Sequence, residues 1–191
     1  MRAGMALPTP RYEHLGPRGP FRDVYEPAED TFLLLDALER DAGSLREARV
    51  EICLEIGSGS GVVSTFLASS ILGPSAFYIC TDINPMAAYC TQETALLNNV
   101  HLQPVITDLV KSHGIEASWA GGKQGREVMD RVFPLVPDLL SPGGLFYLVT
   151  IKENNPDEIL ETMKKSGLKG TQVLSRQAGQ EMLTILRFRK S

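Results

Sequence analysis

Residues 50–61 read VEICLEIGSGSG. Val50, Ile52 and Ile56 are β-branched, the run is short, and a cluster of glycines closes it, which is the pattern of a buried strand ending in a sharp turn. Residues 62–72, VVSTFLASSIL, continue as a helix that Gly73-Pro74 ends. Gly57, Gly59 and Gly61 let the backbone leave the strand abruptly and keep amides bare at the start of that helix, where a ligand can approach closely.

The cycle repeats downstream. Residues 77–83, FYICTDI, read as a second strand; 85–99, PMAAYCTQETALLNN, as a helix with Pro85 in its first turn; and 103–108, QPVITD, as a third strand. Strand alternating with helix implies an α/β fold whose parallel sheet is covered on both faces. Upstream, VYEPAEDTFLLLDALE (24–39) predicts a helix with Glu29 and Asp30 in the positive first turn and Leu34, Leu35 and Leu38 as an apolar stripe, followed by a turn-like DAGSLREAR (41–49).

Beyond residue 111, GREVMDRVFPLVPDLL (125–140) has helical spacing with a kink at Pro134, and LFYLVTIK (145–152) reads as another buried strand. NPDEILETMKKSG (155–167) is a helix capped by Asn155, with Pro156 first and Gly167 just past its end. TQVLSRQAGQEMLTILRFRK (171–190) gives two alternating runs about a turn near Gly179, a C-terminal antiparallel hairpin. Residues 1–22 carry Pro8, Pro10, Pro17 and Pro20 without periodicity and read as a flexible tail, leaving 23–191 as one domain.

A net charge of -4 gives no positive field to draw nucleic acid, so that class of partner is disfavoured. No apolar run approaches the ~18 residues of a membrane span and the first ten residues lack a signal peptide's apolar core, so a cytosolic or nuclear protein is expected. Cys53, Cys80 and Cys90 have no CxxC spacing and His14, His101 and His113 are scattered, so neither a disulfide framework nor a metal site is expected.

The chemistry concentrates around the glycines. A dinucleotide fingerprint counted from Gly57 needs a small residue at position 62, where Val62 stands, and Glu55 would repel a pyrophosphate. The same carboxylate suits a ligand carrying an ammonium group. Asp82 ends the second strand, where a carboxylate can accept both hydroxyls of a ribose, and Asp108 ends the third, on the edge where open α/β sheets bind ligands. A cationic nucleoside amino acid fits this set better than a nicotinamide dinucleotide.

EIGSGSG (55–61) with TDINP (81–85) resembles motifs I and II of the class I S-adenosylmethionine-dependent methyltransferases. VYEPAEDTFLLLDAL, DLVK, GIEASWAGGKQGREV and SPGGLFYLVTIKENN are together similar to the eukaryotic members of the HemK-like family, the glutamine methyltransferases of translation termination factors. The resemblance covers nearly everything after residue 22. It implies a Rossmann-like three-layer sandwich, S-adenosyl-L-methionine as cofactor, a termination factor as substrate, and a heterodimer with a small zinc-binding activator subunit. It places Thr31, Glu55, Gly57, Gly59, Gly61, Asp82 and Asp108 at cofactor-binding positions, Thr31 on the resemblance alone.

The family's fourth strand ends in Asn-Pro-Pro-Tyr, which places acceptors for the substrate's amide; the work is positioning and electrostatics. The tetrapeptide occurs nowhere in this sequence, whereas DLVK (108–111) and the loop that normally follows the motif, GIEASWAGGKQG (114–125), are both present. An in-frame omission between Lys111 and Ser112, such as alternative splicing produces, accounts for both facts. No catalytic residue is therefore assigned, and the expected state is an inactive or impaired family member. The alternative is an active enzyme on another acceptor: protein lysine, a DNA base or a small molecule. If the sheet closes over the gap, residues 145–151 should take the vacant place beside residues 50–57.

Overall fold

The chain organises as two units, residues 1–109 and 110–191, of which the computed structural model describes residues 6–108 and 126–191. The junction at 111–112 and Trp119 lie outside the described residues.

In the first unit, helix α1 spans Glu29–Arg40 and buries Leu33, Leu35, Ala37 and Leu38, close to the stripe that the spacing predicts. A second helix, α2 (Ala42–Glu47), stands where the sequence suggests a turn. Gly43 and Ser44 hide it from propensity; burial of Leu45 and Ala42 and a hydrogen bond from Ser44 Oγ to the Asp41 carbonyl (2.8 Å) hold it instead. Strand β1 (Ile52–Ile56) leads through the glycines into α3 (Val62–Phe66), which widens into a π-helical turn at Leu67–Ile71 rather than running on as one helix. The Arg46 guanidinium donates to the carbonyls of Ile71 (3.0 Å) and Ser70 (2.9 Å), satisfying groups that a helix end leaves without intrahelical partners.

Strands β2 (Phe77–Asp82) and β3 (Gln103–Ile106) flank α4 (Pro85–Leu97), and the parallel sheet runs β1-β2-β3, with Ile52 opposite Phe77 and Asp82 opposite Ile106. Side chains alternate across the sheet. One face packs Tyr78, Cys80 and Cys53 with Ala68, Ala95 and Leu102. On the other, Ile52 is 64% exposed and Phe77 52%, with Leu54 and Ile56 also exposed, where sequence patterning predicts cover on both faces.

The described part of the proposed tail also departs from expectation. Phe21 and Val24 are buried in a cluster with Ala87 and Cys90, and Arg11 exchanges two hydrogen bonds with the Asn98 side chain, at 2.7 and 2.8 Å. Prolines and glycines remove periodicity without preventing a segment from being pinned by a few anchors, which is why composition misleads here.

In the second unit, the helical stretch after residue 125 breaks at Pro134 into α5 (Glu127–Val132) and α6 (Val136–Leu139). Strand β4 (Leu145–Ile151) is followed by α7 (Pro156–Lys165), then by the hairpin β5 (Leu168–Ala178) and β6 (Glu181–Lys190). The antiparallel sheet runs β4-β6-β5. Within this unit β4 pairs with β6 from Leu145 opposite Arg189 to Ile151 opposite Leu183. Asn155 precedes α7 as predicted, but in a left-handed conformation, and its amide donates to Glu158 Oε2 (3.1 Å) without capping the helix. Ile159 and Met163, one turn apart, are fully buried with Phe133, Val136, Leu186 and Phe188; each contributes about 1.5–3 kcal/mol of transfer free energy.

Candidate functional site

The carboxyl ends of β1, β2 and β3 gather most of the residues singled out by sequence. Gly57, Gly59 and Gly61 all have positive φ (+74°, +50° and +74°), so the loop needs glycine for its path alone. They differ in space. A Cβ on Gly61 would stand 2.8 Å from Thr91 Cα, whereas a Cβ on Gly57 or Gly59 would meet nothing within 4 Å. The first therefore packs the loop onto α4, and the other two leave backbone open to a ligand.

Backbone bonds stitch the loop to β2: the amides of Gly57 (2.8 Å) and Ser58 (3.0 Å) both donate to the Thr81 carbonyl. Asp82 completes the brace. Its Oδ2 accepts from the Gly59 amide (2.9 Å) and its Oδ1 from the Asn84 amide (2.9 Å). Each carboxylate oxygen retains a second lone-pair site, so this engagement leaves acceptor capacity toward solvent. Asp108 lies just past β3, where the neighbouring Thr107 amide donates to the Asp82 carbonyl (2.9 Å), so the two aspartates end adjacent strands as read from sequence.

Glu55 faces the α3 side of β1. Its Oε2 accepts from the Ser64 amide (3.2 Å) and hydroxyl (2.5 Å). Burial pushes its carboxyl up to about 7, opposed by the two Ser64 bonds and reinforced by the nearby Asp82 charge. A cation brought close would reverse much of that shift. Thr31, in contrast, is engaged in the first turn of α1, where its hydroxyl accepts from the Ala28 amide at 3.5 Å. That is the helix-turn role the local sequence suggests.

Sequence reasoning missed the buried hydroxyls beneath the loop. Ser58 Oγ meets Thr91 Oγ1 (3.3 Å), which also lies 3.3 Å from the Gly59 carbonyl, and Thr94 Oγ1 donates to the Ser60 carbonyl (2.6 Å). The available signal was Thr91 and Thr94 at helical spacing on α4. A cavity of about 490 Å³ lies elsewhere in the unit, lined by Thr9, Arg11, Tyr12, Glu13 and Phe32 among others, and none of the expected site residues borders it.

Residues 29–184 match the family described as ribosomal protein L11 methyltransferase (PrmA). The chain is 64% identical to methyltransferase HEMK2 of Homo sapiens over 217 aligned positions, covering 99% of this chain and 100% of the relative. This chain has 191 residues, so at least 26 of those positions have no residue here. It is 34% identical to the eRF1 methyltransferase catalytic subunit mtq2 of Schizosaccharomyces pombe over 207 positions, covering 88% of this chain and 90% of that one. Among solved structures, the E. cuniculi Mtq2–Trm112 complex, responsible for methylating the termination factor eRF1, superposes with a TM-score of 0.68 at 27% identity, covering 88% of this chain and 99% of that one.

Proposed function

Because the chain belongs to the HEMK2 group of the PrmA-like, class I S-adenosylmethionine-dependent methyltransferases, we propose that its glycine loop holds S-adenosylmethionine and that it transfers the methyl group weakly or not at all. The carrying observation is the loop itself: two open glycine backbones between a half-buried carboxylate and an aspartate that braces the turn.

The donor set fits the ligand. Gly57 and Gly59 admit close approach, and Gly61 fixes the loop on α4. Asp82, with acceptor capacity left, takes the ribose hydroxyls, and Asp108 on the next strand end borders the adenine side. Glu55 supplies negative potential near the amino-acid end, and Thr31 contributes from α1. Bound S-adenosylmethionine supplies a methyl group on a sulfonium centre, which needs an aligned nucleophile rather than a covalent enzyme intermediate.

Alignment is what this chain lacks. It has no Asn-Pro-Pro-Tyr, and its human relative aligns over more positions than it contains. An omission between Lys111 and Ser112 removes acceptors for an incoming amide, and with them the orientation that can be worth about 7–11 kcal/mol in a bimolecular transfer. For the intact family member, the substrate class we propose is a termination-factor glutamine, as eRF1 is for Mtq2, with a small partner of the Trm112 kind, in cytosol and nucleus. Lysine, a base or a small molecule are the other acceptors to assay.

The test is calorimetric titration of S-adenosylhomocysteine into this chain, beside methyl-transfer assays on purified termination factor with the small partner present, for this chain and for a version with the absent segment restored. Saturable binding without transfer, with transfer recovered on restoration, is the expected outcome. Transfer by the short chain at the restored chain's rate overturns the impairment, and absence of binding overturns the cofactor assignment.

A further inference from the structure

We propose that His14 is a positioning residue for the cofactor loop, holding the path of the glycine turn through Thr94; this rests on the assignment of that loop to S-adenosylmethionine. Thr94 is fully buried on α4, and its Oγ1 lies 2.6 Å from the Ser60 carbonyl, 3.0 Å from the Cys90 carbonyl and 3.0 Å from His14 Nε2. The hydroxyl has one proton to give. The shortest contact assigns it to Ser60, so His14 Nε2–H is the donor that fills the hydroxyl's acceptor site. The other ring nitrogen, Nδ1, is buried without a hydrogen-bond partner among the described residues, which suits a bare acceptor nitrogen and the Nε2–H tautomer.

The ring is fixed from two more sides. It stands edge-on to Phe21 at a centroid separation of 5.5 Å and 88°, and Nε2 lies 3.5 Å from Cys90 Sγ. Phe21 is itself buried with Val24, Ala87 and Cys90, and the Arg11–Asn98 pair clips the segment to the end of α4. The N-terminal segment thus reaches Ser60, between Gly59 and Gly61, through a single buried hydroxyl. Loss of the His14 donor frees Thr94 Oγ1 to turn toward the Cys90 carbonyl, and the Ser60 carbonyl loses its partner.

Two pairs of variants in the full chain test this. His14→Phe keeps ring volume against Phe21 and removes the donor, whereas His14→Gln restores an N–H near the Nε2 position; Thr94→Val and Thr94→Ser do the same for the hydroxyl. Hydrogen exchange of amides 57–61 is measured without ligand, and S-adenosylhomocysteine affinity by calorimetry. His14→Phe and Thr94→Val should speed loop exchange and weaken binding about ten-fold each, the effect of one ordinary hydrogen bond, while His14→Gln and Thr94→Ser stay near wild type. Unchanged loop exchange in Thr94→Val, or failure of His14→Gln to rescue, overturns the proposal. So does faster exchange with unchanged affinity. Should His14→Phe not fold, the Thr94 pair reads the same link. If wild type binds no S-adenosylhomocysteine while exchange still follows the donor, the cofactor assignment fails and the mechanical link stands.

Discussion

Glu55 holds a charge in a place that favours the neutral acid, so its behaviour with pH is the most direct check on the site. Its folded-state value, raised to about 7 by burial, exceeds the ordinary carboxylate value of 4.5, so the folded chain binds more protons than the unfolded chain between those limits. Stability from this group is fully present below about pH 4.5 and is lost as pH rises through about 7. Glu55→Gln, which keeps an oxygen for the Ser64 donors, should melt like wild type at pH 5 and a few degrees higher at pH 8, measured by calorimetric scans at both values. Equal melting temperatures at pH 8 would remove the desolvation argument. If the proposed cofactor site holds, the same variant should bind S-adenosylhomocysteine more weakly at pH 8, because it lacks the charge offered to the ligand's ammonium. Asp82→Ala removes both the brace on Gly59 and a charged acceptor, and hydrogen bonds to charged groups are worth about 1.5–3 kcal/mol each. Its dissociation constant should rise more than ten-fold, and an unchanged constant would take Asp82 out of the site.

At the scale of elements, the strand–turn–helix around residue 57 makes its own prediction. Gly61→Ala faces both a left-handed backbone, costing about 1–2 kcal/mol, and contact with Thr91 Cα at 2.8 Å. Gly57→Ala meets only the first. Chemical denaturation should therefore show Gly61→Ala losing at least about 1–3 kcal/mol more than Gly57→Ala, the range for forced overpacking; equal losses would mean α4 does not press on the loop. The elements whose signals are local were legible in the sequence: β1, β2 and β3 from β-branched runs, α4 from Pro85, the break at Pro134, the hairpin around Gly179. The places of Glu55, the three glycines and the two aspartates at strand ends and turns were legible for the same reason. What escaped depends on distant partners. α2 exists because Leu45 is buried, the order of residues 6–24 comes from Phe21, His14 and Asn98, and the hydroxyl bed under the loop is formed by residues some thirty positions away. The antiparallel pairing of β4 with β6 is of this kind too, since register across a sheet is fixed by whichever strands are there to pair.

At the scale of the molecule, one face of the first unit's sheet has no cover among that unit's described residues. All-parallel sheets occur almost only with both faces covered, because their strands are apolar on each side. Ile52, Leu54, Ile56 and Phe77 follow that composition, yet all are exposed, and Ile52 is 64% exposed. The alignment with the human relative spans 217 positions against the 191 residues present here, and the positions without a residue are material from which such a cover could be made. The consequence can be measured by placing a charge there. On an open face Ile52→Lys should change the stability of this chain by no more than about 0.5 kcal/mol, as surface substitutions do. If the restored chain covers the face, the same substitution there should cost about 2–5 kcal/mol, from the lost aliphatic burial and a lysine without water. Denaturant titrations of both pairs separate the possibilities: a large loss in the short chain would mean that its sheet is covered in solution, and a small loss in both would mean that the added segment does not shield β1.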